Sequence, residues 1–288
     1  MTLAMAAFAV EDALIKSLSG TLATGQIVAV IGGGGGLLIA LWLRATGQSL
    51  WSAQLATPPA LWRLFFEVVG TAAFTTSLAL IPLTTASAVI QATPLIVAMG
   101  GAVFLAQPVG WRRWTAIGVG FAGVLLVLRP GLDGFQPATL LAVLGMLCLA
   151  GRDLATRRIG GAASGLHLSL AAFLALVPTG LVMARVTGPQ LVWPAPWDAA
   201  LLALCVAIGL IGYLAIVGAT RAGDVAVTAS FRYSRMVFAG IIGFAVFGER
   251  PDAMTLLGIT IVIGAGLFVL IRERRALRGA SPRAHEPV

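Results

Sequence analysis

Long apolar runs separated by short polar breaks dominate the chain. Roughly 20 apolar residues cross a hydrocarbon core. Segmentation on that length predicts ten spans: 2–18, 25–43, 63–81, 84–106, 113–128, 138–156, 165–185, 197–219, 225–247 and 254–271. The breaks fall where Pro and Gly punctuate, at Pro58 and Pro59, at Gly131 with Pro137, from Pro189 to Pro196, and at Pro251. The first run begins next to Met1, is too long for a signal core and lacks a small-residue cleavage context, so it reads as a retained helix. From Arg272 onward the chain turns hydrophilic, and residues 273–288 read as a cytoplasmic tail without order beyond Arg278.

The apolar pattern repeats. Leu3, Met5, Ala9, Asp12 and Gly20 recur 141 residues later as Leu144, Met146, Ala150, Asp153 and Gly161, and Lys16 is answered by Arg157. Ala88 and Ala98 match Ala229 and Ala239, Gln107 falls opposite Glu249, and the run Gly123 to Arg129 matches Gly266 to Arg272. The arginines then orient the halves. With the N-terminus inside, the inner loops and tail hold Arg44, Arg63, Arg112, Arg113, Arg157, Arg158, Arg221, Arg272, Arg274, Arg275, Arg278 and Arg283, against Arg129, Arg185 and Arg250 outside. Both termini are therefore expected in the cytoplasm. Five spans per half invert the second relative to the first, so residues 1–130 and 138–272 are expected to form two inverted five-helix repeats of an all-α membrane protein.

Composition agrees with a bilayer. Hydrophobic residues make up 59% and charged residues 10%, where a soluble domain carries about 25% charged, and mean hydropathy is +0.97. A pI near 11.1 would fit nucleic acid only with a basic face on a soluble domain, and here the arginines punctuate apolar runs, so no nucleic-acid partner is expected. Cys148 and Cys205 each lie in apolar runs and read as packed thiols, not a disulfide.

Away from the span ends, seven charges are read at membrane depth: Glu11, Asp12, Lys16, Arg152, Asp153, Arg232 and Arg235. At about 3 kcal/mol each, exposing them to lipid would cost roughly 20 kcal/mol, more than the net stability of a typical domain. They are expected to face the bundle interior or water. Asp12 with Lys16 and Asp153 with Arg157 stand four apart with acid before base, the spacing of structural ion pairs on one helix face. Arg232 and Arg235 share a face and lack such a partner, so they either meet Glu11 or Asp12 from another helix or receive an anion. A guanidinium fork suits a carboxylate, and Glu11 or Asp12 would take an ammonium group or, alternatively, a proton during the cycle. Gln91 and Thr93 occupy the repeat positions of Arg232 and Ser234, beside Pro94, which predicts a kink or a cavity lining. Tyr213 and Tyr233 complete the candidate substrate-binding set. Glu67 with Arg63 reads as a pair at a helix end, Trp62 as an interfacial anchor, His167 as a packed residue, and Gly32 to Gly36 as a close-packing face.

With these residues in view, the chain resembles the drug/metabolite transporter superfamily, EamA type, whose repeats each close on a Gly-Glu turn before the last helix. Gly248-Glu249-Arg250-Pro251-Asp252 matches that turn, followed by Gly258 and Gly266; the first copy, Ala106-Gln107-Pro108-Val109-Gly110, lacks its Gly and Glu. The resemblance covers residues 1–275, and the ten-span layout is similar to YddG-type amino-acid exporters. It implies a secondary transporter of the bacterial inner membrane that exports small metabolites, amino acids first, by alternating access, as monomer or homodimer and with a proton as one candidate coupling ion. The competing classes are a channel or facilitator and a non-transporting scaffold. No enzyme signature is present: there is no P-loop and no H-E-x-x-H, and His167 and His285 stand too far apart for a metal site, so neither cofactor nor metal is expected.

Overall fold

The computed structural model describes residues 1–104, 110–131, 135–159, 165–187, 191–222 and 231–280. Its helices are α1 (Thr2–Leu18), α2 (Thr24–Ala45), α3 (Pro58–Leu80), α4 (Leu83–Ile90), α5 (Thr93–Phe104), α6 (Trp111–Leu128), α7 (Thr139–Arg157), α8 (Gly165–Thr187), α9 (Pro196–Ala222), α10 (Ser234–Phe247) and α11 (Ala253–Ala280), with no strand among the described residues. Eight stretches there are long and apolar enough to cross a bilayer: α2, α3, α4 continued by α5, α6, α7, α8, α9 and α11. The chain is an all-α, multi-pass membrane protein. Helix α1 coincides with the first expected span, at 17 residues. Helix α10 has 14 residues, and the earlier part of its expected span, 225–230, lies outside the described residues, as do Gln107, Gly161 and His285.

Prolines start helices here more than they break them. Pro58 and Pro59 open α3 and Pro196 opens α9, where the sequence reading placed loops; at a helix start the missing N–H has no intrahelical partner to lose. The expected tail is also shorter than drawn, because α11 continues past residue 271 to Ala280.

Small residues set the helix contacts. A Cβ on Gly32 would lie 2.7 Å from the Phe173 carbonyl oxygen, and one on Gly35 2.6 Å from the Phe173 ring, so the glycine run brings α2 against α8 as expected. Gly123 and Gly258 face each other's carbonyls across α6 and α11, at 2.9 and 2.7 Å from the missing Cβ atoms. The remaining principal pairs are α3 with α7 and α8, α9 with α1 and α2, α1 with α10, α7 with α4 and α5, and α4 with α10. Leu37, Leu41, Val103, Leu125, Ile241, Phe244 and Leu256 point outward, the distribution lipid demands. Trp51, Trp62, Trp111, Trp193 and Trp197 stand exposed near helix ends, where indoles suit the interface.

Candidate functional site

Two turns at helix starts meet in the middle of the bundle. Between α4 and α5 the chain passes Gln91 and Ala92 in a turn. Pro94 has no N–H for the Ile90 carbonyl four residues back, and the Thr93 hydroxyl takes that acceptor at 2.5 Å. In front of α10, the 3-10 turn Phe231–Tyr233 repeats the device, with the Ser234 hydroxyl donating to the Phe231 carbonyl at 2.7 Å. The two turns touch: the Gln91 amide Nε2 donates to the Arg232 carbonyl at 3.2 Å.

Around them lies a cavity of about 490 Å³, within the range of small-molecule sites. It brings together all eight candidate substrate-binding residues: Glu11, Asp12, Gln91, Thr93, Tyr213, Arg232, Tyr233 and Arg235. Their availability differs. Thr93 is committed to its own backbone, Tyr213 Oη donates to the Gly165 carbonyl at 2.8 Å, and Tyr233 is buried with its hydroxyl unpartnered, aimed at Gly266.

The charges pair both across helices, as Arg235 with Asp12, Arg152 with Glu67 and Arg232 with Asp153, and along them, as Arg152 with Asp153 and Arg63 with Glu67. Arg235 donates to Asp12 Oδ2 through Nη2 at 2.5 Å and Nε at 3.1 Å, and its guanidinium lies 5.6 Å from the Phe8 ring and 5.8 Å from the Phe74 ring. Arg152 donates to Asp153 Oδ1 through Nη2 and Nε at 2.8 and 3.0 Å and to Glu67 Oε1 through Nη1 at 3.0 Å. Arg63 approaches Glu67 at 3.4 Å and donates to the Leu168 carbonyl at 3.2 Å. Arg232 is the least committed, 3.8 Å from Asp153 Oδ2 with its side chain 38% exposed.

Of the same-helix pairs expected from spacing, Arg63 with Glu67 forms, while those of Asp12 with Lys16 and Asp153 with Arg157 are corrected. Asp12 is taken by Arg235, while Lys16 Nζ donates to the Ile81 and Leu78 carbonyls at 2.5 and 3.2 Å, capping the end of α3. Asp153 is taken by Arg152 and Arg232, and Arg157 stands exposed at the last turn of α7. At Asp12 the forked donor of a neighbouring helix displaces the partner one turn away by making two hydrogen bonds to the carboxylate, and at Asp153 the adjacent Arg152 does the same from within α7. Arg63, Glu67 and Arg152 also line the cavity; Arg152 was expected to face the interior, whereas the inward positions of Arg63 and Glu67 were missed. Starting the third span at residue 63 placed Glu67 at a helix end; its position inside Phe65-Phe66-Glu67-Val68-Val69 was the available signal.

At one end of the bundle, contacts between helices tie α4 to α10 and α6 to α11. Gly248 closes α10 in the left-handed region at φ +64°, and the Glu249 N–H reaches back to the Gly243 carbonyl at 2.9 Å. That turn sends the Glu249 carboxylate onto the first turn of α4, where it accepts from the N–H groups of Leu83 and Thr84 at 2.6 and 2.9 Å and from the Thr84 hydroxyl at 2.8 Å. Beside it, Arg129 pairs with Asp252; hydrogen bonds from Arg129 and Thr255 hold the Asp252 carboxyl below the usual carboxylate range. Among the described residues, no group of three or more His, Cys, Asp or Glu is placed to hold a metal ion.

Residues 136–271 match the family described as EamA-like transporter family. An S-adenosylmethionine uptake transporter of Rickettsia felis is 30% identical over 223 residues, 77% of this chain and 72% of that protein. A riboflavin transporter of Rhizobium johnstonii is 28% identical over 219 residues, 75% of this chain and 71% of that protein. The pseudopaline exporter CntI of Pseudomonas aeruginosa is 28% identical over 272 residues, 91% and 92% of the two chains. One solved crystal structure shares the fold, with a TM-score of 0.63 over 96% of this chain and 97% of that chain at 20% identity.

Proposed function

Since the chain belongs to the EamA-like transporter family, we propose that it is a secondary carrier of small metabolites bearing an amino-acid end, exporting them across the bacterial inner membrane by alternating access. The observation that carries this reading is the cavity of about 490 Å³ enclosed by helices from both halves of the chain and lined by four carboxylates and four guanidiniums. Lipid does not tolerate such a set unless it faces water or cargo. Arg232, with one distant partner, is the carboxylate clamp; Arg235 is held by Asp12.

An inverted repeat of residues 1–130 and 138–272 supports the mechanism. Under a shift of five spans, α1 on α9 becomes α7 on α3, α1 on α10 becomes α7 on α4 and α5, α2 on α9 becomes α8 on α3, while α2 with α8 and α6 with α11 map onto themselves. The matched hydroxyl bonds at Thr93 and Ser234 fall in the same register. Rocking one half on the other exposes a midplane site to each side in turn. With both termini cytoplasmic, the end tied by Lys16 and Glu249 is the outer gate, shut while the charged lining faces inward.

Cargo class follows from the clamp. S-adenosylmethionine, the named cargo of one relative, carries the same ammonium and carboxylate end as a free amino acid, which supports this cargo class; riboflavin, the named cargo of another, carries no such end and serves as the contrasting cargo. Counterflow in liposomes, run at two pH values over amino acids, S-adenosylmethionine and riboflavin, tests the reading and any proton coupling. Saturable counterflow of amino-acid-bearing cargo is expected, with Arg232→Ala raising KM by about tenfold or more, the worth of a charged hydrogen bond. Unchanged kinetics in Arg232→Ala removes the clamp, and fast non-saturating flux makes the protein a channel.

A further inference from the structure

Glu11 stands apart from the other acids of the cavity. Asp12, Glu67 and Asp153 each accept from a guanidinium, whereas the Glu11 carboxylate makes no hydrogen bond or ion pair among the described residues. The helix pairs show why. Gly70 of α3 faces the Cys148 side chain and Leu149 of α7, and Gly212 of α9 faces Ala7 and Phe8 of α1, residues standing 141 positions earlier. These contacts put the two pairs in register. Three residues before the glycines, Glu67 of α3 meets Arg152 of α7 at 3.0 Å; the matching positions in the other pair are Gly209 of α9 and Glu11 of α1.

So the acid has changed helices, and position 209 offers no side chain to answer it. The atoms nearest the missing Cβ of Gly209 are those of the Glu11 carboxyl, Oε1 at 2.5 Å and Cδ at 3.0 Å. The carboxylate rests on bare backbone and lines the cavity. A carboxylate out of bulk water without a counter-charge is costly, and a cation arriving with cargo removes that cost.

We propose that Glu11 lying over Gly209 is the subsite for the cationic group of the cargo, an ammonium or other small organic cation, which stands where Arg152 stands for Glu67. This deepens the carrier reading and rests on it. A cargo with both charges then bridges Arg232 and Glu11, and Gly209 is a specificity residue, because any side chain there displaces the carboxylate.

The test reads Glu11 directly. Full-length protein in liposomes is treated with dicyclohexylcarbodiimide, which modifies carboxyl groups in apolar surroundings, and labelling of Glu11 is followed by mass spectrometry with tetramethylammonium, propylammonium or propionate present. Wild type is expected to label at Glu11, both cations to slow labelling about tenfold, and propionate to leave it unchanged. Glu11→Gln removes the label. Gly209→Ala keeps it and needs about tenfold more cation for equal protection, while Gly209→Lys supplies the cation within the chain and loses both label and cation effect. No labelling of Glu11 in wild type, labelling that neither cation slows, or equal protection by propionate overturns the subsite. Cargo flux in the same liposomes separates the two readings: protection without flux keeps the subsite and removes the carrier, and flux without protection does the reverse.

Discussion

Replacing Glu249 by alanine strips the first turn of α4 of its acceptors. Leu83 and Thr84 are 0% and 2% exposed, so water does not replace the lost carboxylate at their N–H groups. Each buried donor left alone costs about 1–3 kcal/mol, and loss of a helix N-cap costs up to about 2 kcal/mol even in water. Two N–H groups therefore put the cost of Glu249→Ala at about 2–4 kcal/mol, with the Thr84 hydroxyl free to turn elsewhere. At roughly 2–4 °C per kcal/mol for a chain of this size, the melting temperature falls by about 5–15 °C. Cys148 and Cys205 are free and buried, so a thiol-reactive dye reports the unfolding in detergent without added labels. Glu249→Gln keeps one acceptor oxygen and is expected to lose about half as much, and Thr84→Val no more than about 1 kcal/mol. If Glu249→Ala melts with the wild type, or Glu249→Gln is the worse of the two, the capping role is refuted.

The buried pair of Asp12 and Arg235 gives a second expectation: Arg235→Met strands Asp12, 5% exposed, and costs about 3–5 kcal/mol, whereas the double variant Asp12→Asn, Arg235→Met recovers most of it in the same melt. A single variant as stable as wild type would mean that the pair holds nothing. Within the glycine run, Gly32→Ala drives a Cβ into the α8 backbone and destabilises, while Gly33→Ala, whose Cβ meets only Val177 at 3.9 Å, is neutral or stabilising by up to about 1 kcal/mol; equal effects would contradict the assigned face. Asp252 has its carboxyl lowered by Arg129 and Thr255, so its contribution is complete above the unfolded value of about 3.9 and disappears as pH falls through the depressed folded value. Melting curves of wild type and Asp252→Asn are expected to stay apart down to about pH 4 and to converge only below it; convergence already at neutral pH would show that the pair with Arg129 is not formed.

How much of this was legible without coordinates depends on whether the relevant physics is local. The extent of α1 and the inward burial of Glu11, Asp12, Arg232 and Arg235 follow from residue identity and the intolerance of lipid for charge, and both are seen. The kink at Pro94 was also readable, since a missing N–H is a property of one residue. Its repair by Thr93 was not, although the hydroxyl stands one position away, because a threonine has several acceptors within reach. Likewise the Gly-Glu turn was recognisable as a motif, but nothing in its five residues says that the carboxylate caps a helix 165 residues earlier.

Residue order alone places this chain in a bilayer, locates most of its spans approximately, and picks out the side chains that have no place against lipid. The partners of those charges came from helix packing: Asp12 with Arg235, Arg152 with Glu67 and Asp153, Lys16 with two carbonyls at the end of α3, and Glu11 with none among the described residues. The reason is the range of the forces. Burial in hydrocarbon is set residue by residue along one helix, whereas an ion pair in a dry interior goes to whichever donor the packing of neighbouring helices brings into hydrogen-bond geometry, and that packing is fixed by contacts such as Gly32 on Phe173 that lie far apart in the chain.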